Sequence, residues 1–179
     1  AWHRNWKGLV PKERVEVTRG QHRADIVRTD GTVVELQHSP ISVPEILERE
    51  AFYGKMVWLF DGTDLEDHRL NLRPRGKLTT FRWKHPRKHY GHCRKPVYID
   101  LGDRIFKMDK LYLDKPPYGG YGKVGDPAVL KAWLAESSTC GTCSNASANA
   151  TTSNHLTGFI NCKLLPSYKW VTQHSFCRL

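Results

Sequence analysis

The chain has 179 residues and a formal net charge of +10, with 39% apolar and 11% aromatic residues. This length indicates one compact domain, or one domain with a small appendage, and this composition excludes a disordered basic tail. The sequence contains no apolar run of the roughly 18 residues that a membrane span needs, and its first residues lack the apolar region of a signal peptide. We therefore expect a soluble, cytoplasmic protein that does not contact a membrane.

The excess positive charge is concentrated in one stretch. Residues 68–99 contain ten basic residues and no acidic one. Phosphates attract cations and bases stack on aromatic rings, so a basic stretch interleaved with aromatic residues predicts a nucleic-acid surface. A merely solvated basic face is the alternative. The aromatic residues are Phe81, Trp83 and Tyr90, and the cations expected to contact DNA include Arg82, Lys84, Arg87 and Lys88.

The first third of the chain has clear secondary-structure signals. A short helix is predicted before Pro11, and three antiparallel strands follow it, the last two joined by the turn at Asp30-Gly31. Ser42 is predicted to cap a helix that ends at Gly54. The predicted strands span residues 14–18, 22–28, 32–37 and the buried run 56–60.

The second half of the chain has weaker signals. Strands are predicted at residues 78–84 and 97–101, followed by a hairpin-like pair at 104–108 and 111–113. Residues 116–122 are rich in proline and glycine and predict a turn-rich connector. Asp126 is predicted to cap a helix over residues 127–136.

Two acidic residues lie at matching distances from the Asp30-Gly31 turn. Asp25 and Glu35 are therefore expected nearly opposite each other on paired strands, where two carboxylates repel unless a cation lies between them. Mg²⁺ takes oxygen ligands from one or two carboxylates, so this pair is a candidate metal site. Gln37 projects from the same face as Glu35, and the carbonyl of Leu36 is an extra ligand candidate. An ordinary surface aspartate paired with an arginine is the alternative for Asp25.

Four cysteines lie near the carboxyl terminus. Cys140 and Cys143 form a CxxC pair, and Cys162 and Cys177 follow singly. Four thiolates suffice for a structural Zn²⁺ site, with an iron–sulfur cluster as a second option and His174 as a substitute ligand. Separate buried thiols are the alternative.

The segments QHRADIV, VVELQHSPISVPEILEREAFY and MVWLFD, in this order, resemble the nuclease-like region of the competence protein CoiA family. That family is similar to the PD-(D/E)XK nuclease superfamily. The resemblance covers roughly the first 62 residues and is specific there. It implies a restriction-endonuclease-like α/β (α+β) fold, a mixed sheet flanked by helices, and Mg²⁺- or Mn²⁺-dependent hydrolysis of DNA phosphodiester bonds.

The resemblance also implies roles for particular residues. Asp25 and Glu35 would bind the metal, and Gln37 stands where related nucleases usually have lysine. Arg49 and Tyr53 would face the site and the DNA backbone, with a solvated arginine and a core aromatic as the alternative. Relatives tend to have an acid before the Trp-His pair, where this chain has Ala1. Either His3 ligates or positions the metal instead, or the acid has been lost by truncation or substitution. His22 and His38 are expected on the opposite sheet face.

We therefore predict a nuclease-like domain over residues 1–136, with its core in 1–62 and a basic extension in 63–113. Residues 137–179 would form a small cysteine-rich element that binds zinc. DNA is the expected partner, and a homodimer is left open. Two alternatives remain: a catalytically impaired DNA-binding module of the same fold, and a structural or partner-binding protein organised by its cysteine site.

Overall fold

The computed structural model describes residues 1–65 and 69–136, which form a mixed α+β fold. Within these residues a single large sheet is accompanied by few helices. The helices are α1 (Trp2–Lys7), α2 (Val43–Tyr53) and α3 (Pro127–Ala135). The strands are β1 (Val15–Arg19), β2 (His22–Val27), β3 (Val33–Gln37), β4 (Met56–Asp61), β5 (Leu70–Arg75), β6 (Leu78–Trp83), β7 (Val97–Asp100), β8 (Ile105–Tyr112) and β9 (Gly119–Gly125). None of the described helices is both long and apolar enough to cross a membrane.

The nine strands lie in the order β1-β2-β3-β4-β7-β8-β9-β6-β5. The central pairs β3–β4 and β4–β7 are parallel, and all other neighbours are antiparallel. A parallel neighbour requires a crossover connection, and α2 supplies it between β3 and β4. The carboxyl ends of β3, β4 and β7 therefore meet at one edge of the sheet.

Helix α2 begins and ends as its sequence predicts. The Ser42 side chain accepts a hydrogen bond from the Glu45 N–H, and Gly54 ends the helix with a φ of 63°. Because L-residues rarely adopt that backbone conformation, glycine is the favoured residue there. The helix buries Ile46, Glu50 and Tyr53 against the sheet.

The sheet has an apolar core on the side of α2. Trp58 and Phe60 of β4, together with Phe106 of β8, are almost completely buried there. Phe81, Trp83 and Tyr90 belong to this same core and are 3%, 1% and 1% exposed. The interpretation that these three rings stack on bases is therefore wrong, because they fill the protein interior.

Two strands were not predicted, and one predicted hairpin is absent. Residues 105–112 form the single strand β8, in which an irregularity between Met108 and Lys110 replaces the expected turn. Strand β5 escaped prediction because it is an edge strand rich in arginine and contains Pro74, which sheets accept at their edges. Strand β9 carries glycines where its neighbours approach closely. A Cβ on Gly120 would overlap the carbonyl oxygen of Lys110.

Candidate functional site

Strands β2 and β3 separate at Asp25. Their backbone pairing runs from Val27 opposite Val33 to Ile26 opposite Val34. At the next position the Asp25 Oδ2 accepts the Leu36 N–H at 3.0 Å, so a side chain takes the place of a strand carbonyl. In a strand the N–H and C=O of one residue point to the same side, so the Leu36 carbonyl also faces this gap. Asp25 and Glu35 are thus neighbours, as the hairpin geometry predicts.

Helix α1 closes the gap between these strands. His3 Nε2 lies 2.9 Å from the Leu36 carbonyl oxygen, and because a carbonyl only accepts, this nitrogen carries the proton. The indole N–H groups of Trp2 and Trp6 donate to Asp100 Oδ2 at 2.8 and 2.9 Å. The sequence WHRNWK thus contains two interleaved i, i+4 pairs, Trp2 with Trp6 and His3 with Lys7. The tryptophans anchor the helix, and the other pair reaches the gap.

Lys7 is the cation nearest to Asp25. Its Nζ lies 2.7 Å from Asp25 Oδ1 and 3.0 Å from Glu16 Oε1. Burial alone would lower the pKa of Lys7, but hydrogen bonds and charges from Asp25 and Glu16 outweigh it and raise the pKa above the ordinary value. Lys7 therefore stays charged at neutral pH. The sequence places His3 and Lys7 on one face of a helix, but the contact of Lys7 with Asp25 was not predicted.

Glu16 holds Lys7 from an unusual backbone conformation. Its φ is 54°, a region that non-glycine residues rarely adopt. Arg23 donates to the Glu16 carbonyl at 3.3 Å and also bonds its carboxylate. Backbone strain of this kind persists where surrounding contacts fix it, and it clusters at functional sites.

Glu35 is buried with one unsatisfied oxygen. Arg49 Nη1 lies 2.6 Å from Glu35 Oε2, and the Glu35 side chain is 3% exposed. Among the described residues, Glu35 Oε1 has no hydrogen-bond partner. Burial and then the charge of Asp25 raise the pKa of Glu35 to about 7, although Arg49 opposes this. Leaving a buried carboxylate oxygen without a partner costs on the order of 1–3 kcal/mol, so the arrangement needs an explanation.

The other predicted residues of α2 and β3 lie around Glu35. Arg49 also contacts Glu45 through its Nη2 at 3.0 Å, so its guanidinium joins two carboxylates. The Tyr53 hydroxyl is buried next to Glu35 without a hydrogen bond of normal geometry in the described part of the chain, and burial and then the charge of Glu35 raise its pKa to about 12. Tyr53 is therefore a proton donor at neutral pH. The Gln37 side-chain amide donates to the Ser39 carbonyl at 2.6 Å.

The two flanking histidines lie in different surroundings. The His22 ring packs 4.6 Å from Phe52 and 5.8 Å from Tyr53, both on α2. Its expected place on the face opposite Glu35 is therefore wrong, because strict alternation does not hold across the break at Asp25. The His38 Nδ1 lies 2.7 Å from Asp61 Oδ2, and its ring is 6.4 Å from that of His3.

Asp61 was missed as a partner of His38. It ends β4, directly beside the carboxyl end of β3, and its pKa is lowered, since bonds from Thr63 and His38 outweigh its burial. Polar residues that follow two parallel strands meet at one sheet edge, which is the signal that could have identified the pair.

The cations expected to contact DNA are arranged differently from one another. Arg82, Lys84 and Lys88 are exposed. Arg87 instead bonds both oxygens of Asp64, at 2.8 and 2.7 Å, and the carbonyl of Asp61 at 2.9 Å. Its guanidinium thus links two loops.

The zinc prediction falls outside the described residues, because it rests on Cys140, Cys143, Cys162 and Cys177.

Oxygen ligands for a hard divalent cation are present at the gap. Asp25, Glu35 and the Leu36 carbonyl offer the oxygens that Mg²⁺ prefers, and the unpaired Glu35 Oε1 fits such an ion. No three His, Cys, Asp or Glu side chains converge on a common point within residues 1–65 and 69–136. The donor set is therefore two carboxylates and a carbonyl, with Lys7 and Arg49 each against one carboxylate.

Comparisons with protein-family models, with curated proteins and with solved structures find no match to this chain. The resemblance to the CoiA-like nucleases therefore stays a prediction, and the candidate site is argued from its own geometry.

Proposed function

We propose that the chain is a metal-dependent nuclease of restriction-endonuclease-like fold that hydrolyses DNA phosphodiester bonds, using Mg²⁺ or Mn²⁺. One observation carries the proposal: the buried Glu35 has an unpaired oxygen beside the carboxylate of Asp25. Unsatisfied buried acids with strongly raised pKa values are typical of functional sites. The two acids, the helix α2 and the parallel strand β4 also follow one another in the order that the CoiA-like resemblance implies.

Each residue of the gap has a role in this proposal. Asp25, Glu35 and the Leu36 carbonyl would hold the ion. A bound ion of this kind lowers the pKa of a water and offsets charge on the scissile phosphate. Lys7 would place a fixed positive charge beside Asp25. It would thereby supply the charge that related nucleases take from the lysine at the position of Gln37.

The residues around the acids would orient these groups. His3 fixes the direction of the Leu36 carbonyl by donating to it. Arg49 holds Oε2 of Glu35, which leaves Oε1 available to the ion. Tyr53 supplies a buried hydroxyl that stays protonated and can donate a hydrogen bond. Gln37 can orient water or substrate only through hydrogen bonds, because an amide is neither a base nor a cation.

A DNA-binding module without catalysis is the second candidate, and a specific observation favours it. Lys7 and Arg49 already pair with Asp25 and Glu35, respectively. Two internal cations can neutralise two acids without any metal. Metal binding therefore separates the two candidates.

The test is cleavage of supercoiled plasmid with Mg²⁺ or Mn²⁺, compared between wild type, Glu35→Gln and Glu45→Gln. Glu45 is the matched control, because it also contacts Arg49 but its side chain is 44% exposed. We expect Glu35→Gln to lose at least about a hundredfold in rate and Glu45→Gln to stay close to wild type. Cleavage retained in Glu35→Gln would refute the site assignment. No cleavage and no Mg²⁺ binding in wild type, with DNA binding intact, would establish the second candidate.

A further inference from the structure

Four strands present a positively charged face. One row of directly opposed residues crosses the strands β5, β6, β9 and β8. Its members, in that order, are Arg73, Thr80, Tyr121 and Lys110. Residues directly opposite each other project from the same face. The same register gives a row with Arg82 and a row with Lys107 and Lys123. We call this surface the cation face; its six cations are Arg73, Arg75, Arg82, Lys107, Lys110 and Lys123.

The cation face lies on the opposite side of the sheet from the candidate active site. One row of the sheet joins Glu35, Trp58, Val97 and Met108, and the adjacent row joins Leu36, Leu59, Tyr98 and Lys107. Since neighbouring residues of a strand point to opposite faces, Glu35 and Lys107 face opposite ways. The cation face is therefore a surface separate from the candidate active site.

Most of these cations have no internal counterion. Lys107 is an exception, because its Nζ lies 3.5 Å from Asp109 Oδ1. Among the described residues, no carboxylate lies within ion-pair distance of Arg75, Arg82 or Lys123. Lys107 and Lys123 lie directly opposite each other, and like charges in that position destabilise a sheet. A polyanion bound to this face would offset that repulsion.

Aromatic side chains accompany the cations. Tyr112 is 50% exposed and Tyr121 is half-buried, and both share the face. Lys110 lies 5.9 Å from the centre of the Tyr112 ring. Exposed rings between cations offer stacking surfaces for unpaired bases, which a duplex does not present.

A pocket continues the face at one end. It has a volume of about 290 Å³ and is lined by Asn71, Arg82, Trp83, Lys84, Pro116, Pro117 and Tyr118. Asn71 and Arg82 are opposite each other in the register and belong to the cation face. The pocket thus joins apolar rings to cations at the rim of the sheet.

We propose that the cation face binds single-stranded nucleic acid. Its cations contact phosphates, Tyr112 and Tyr121 stack on bases, and the pocket beside Arg82 admits a base. This site is independent of the nuclease proposal, because it lies on the other face of the sheet and needs no metal.

The test is fluorescence anisotropy of the full chain in EDTA with a labelled thymidine oligonucleotide of about 15 nucleotides. The face variant is Arg73→Gln, Arg75→Gln and Arg82→Gln combined. The control variant is Arg4→Gln, Lys12→Gln and Lys131→Gln combined, which removes the same charge from exposed positions outside the basic stretch and the cation face. Because each phosphate contact on a single strand contributes about 0.7 to the salt slope, the face variant should reduce that slope by about 2, and the control should not.

Aromatic substitution tests the base contacts separately. Tyr112→Ala, at an exposed position, should weaken oligonucleotide binding roughly tenfold with an unchanged salt slope. Circular dichroism verifies that each variant is folded. Equal losses in the face and control variants would overturn the proposal, since net charge alone would then explain binding. An equal loss of duplex binding in the face variant would also overturn it, because the face would then not prefer unpaired bases, and so would equally tight binding of phosphatidylserine vesicles.

Discussion

Two buried glutamates on the α2 side of the sheet have opposite surroundings. Glu50, 4% exposed, accepts hydrogen bonds from the Trp58 indole at 2.9 Å and from the backbone N–H groups of Arg94 and Lys95 at 2.9 to 3.0 Å. Glu35, 2% exposed, has one oxygen on Arg49 and the other without a partner among the described residues.

Burial alone does not distinguish these acids, but hydrogen bonding does. Glu50 joins α2 to β4 and to the segment before β7 through neutral donors, as a structural acid does. Glu35 sits beside another carboxylate, and its pKa rises to about 7. A carboxylate that the fold itself satisfies contributes to stability, whereas one that the fold leaves unsatisfied indicates a ligand.

The largest expected effect is on the structural side of this comparison. Glu50→Ala leaves the Trp58 indole and two backbone N–H groups without their acceptor. We expect a loss of about 4 kcal/mol in the free energy of unfolding, measured by urea denaturation. Glu48→Ala, at an exposed position of the same helix, should change the free energy of unfolding by less than about 0.5 kcal/mol. A loss in Glu50→Ala as small as that of Glu48→Ala would remove the distinction between the two acids.

The pH dependence of stability tests the other acid. With a pKa of about 7 when folded and 4.5 when unfolded, Glu35 binds its proton more tightly in the folded state. The unfolded state therefore binds fewer protons between these values, and the free energy of unfolding falls as pH rises from about 4.5 to about 7. Each pKa unit corresponds to about 1.4 kcal/mol, so this penalty is about 3 kcal/mol above pH 7.

Glu35→Gln removes this titration. In EDTA, its unfolding free energy should exceed that of wild type by about 3 kcal/mol at pH 8, with the difference vanishing near pH 4.5. Glu45→Gln is the matched control. Parallel pH curves for wild type and Glu35→Gln would show that Glu35 has an ordinary pKa.

Lys7 links the site to the proposed chemistry. Lys7→Met removes the cation against Asp25. Under the nuclease proposal, cleavage should fall about a hundredfold because a positive charge near the phosphate is lost. Mg²⁺ affinity, measured by calorimetry, should rise because Asp25 loses its competing cation. Lys12→Met, at an exposed position, should alter neither. Unchanged cleavage in Lys7→Met would limit Lys7 to a structural role.

The sequence predicts those features that depend on local signals. The Asp30-Gly31 turn sets the register that brings Asp25 close to Glu35, and the Ser42 cap and Gly54 delimit α2. These residues act through backbone conformations and hydrogen bonds within a few positions of themselves. The first half of the fold follows from them because its elements are joined by short connections.

Contacts between residues far apart in the chain could not be predicted from the sequence. The approach of Lys7 to Asp25 depends on hydrogen bonds from Trp2 and Trp6 to Asp100, which lies 98 and 94 residues further along the chain. The glycine-rich composition of β9 predicts a turn rather than a strand. The strand forms nevertheless, and it needs glycine because neighbouring backbones leave no room for a Cβ at Gly120. Such choices follow from tertiary packing rather than from propensity.

The smallest expected effect separates general loosening of α2 from changes at either acid. This helix carries Arg49 and Glu50 side by side, so the two glutamates depend on the same element. Ser42→Ala removes the cap bond to the Glu45 N–H and should cost about 1 kcal/mol in the free energy of unfolding. Asp126→Ala, which removes the cap of α3, is the matched control and should cost a similar amount. Because neither change alters the surroundings of Glu35, both variants should keep the fall in stability between pH 4.5 and 7. A flattened pH curve in Ser42→Ala alone would show instead that the Glu35 pKa depends on how firmly α2 is held at its N-terminus.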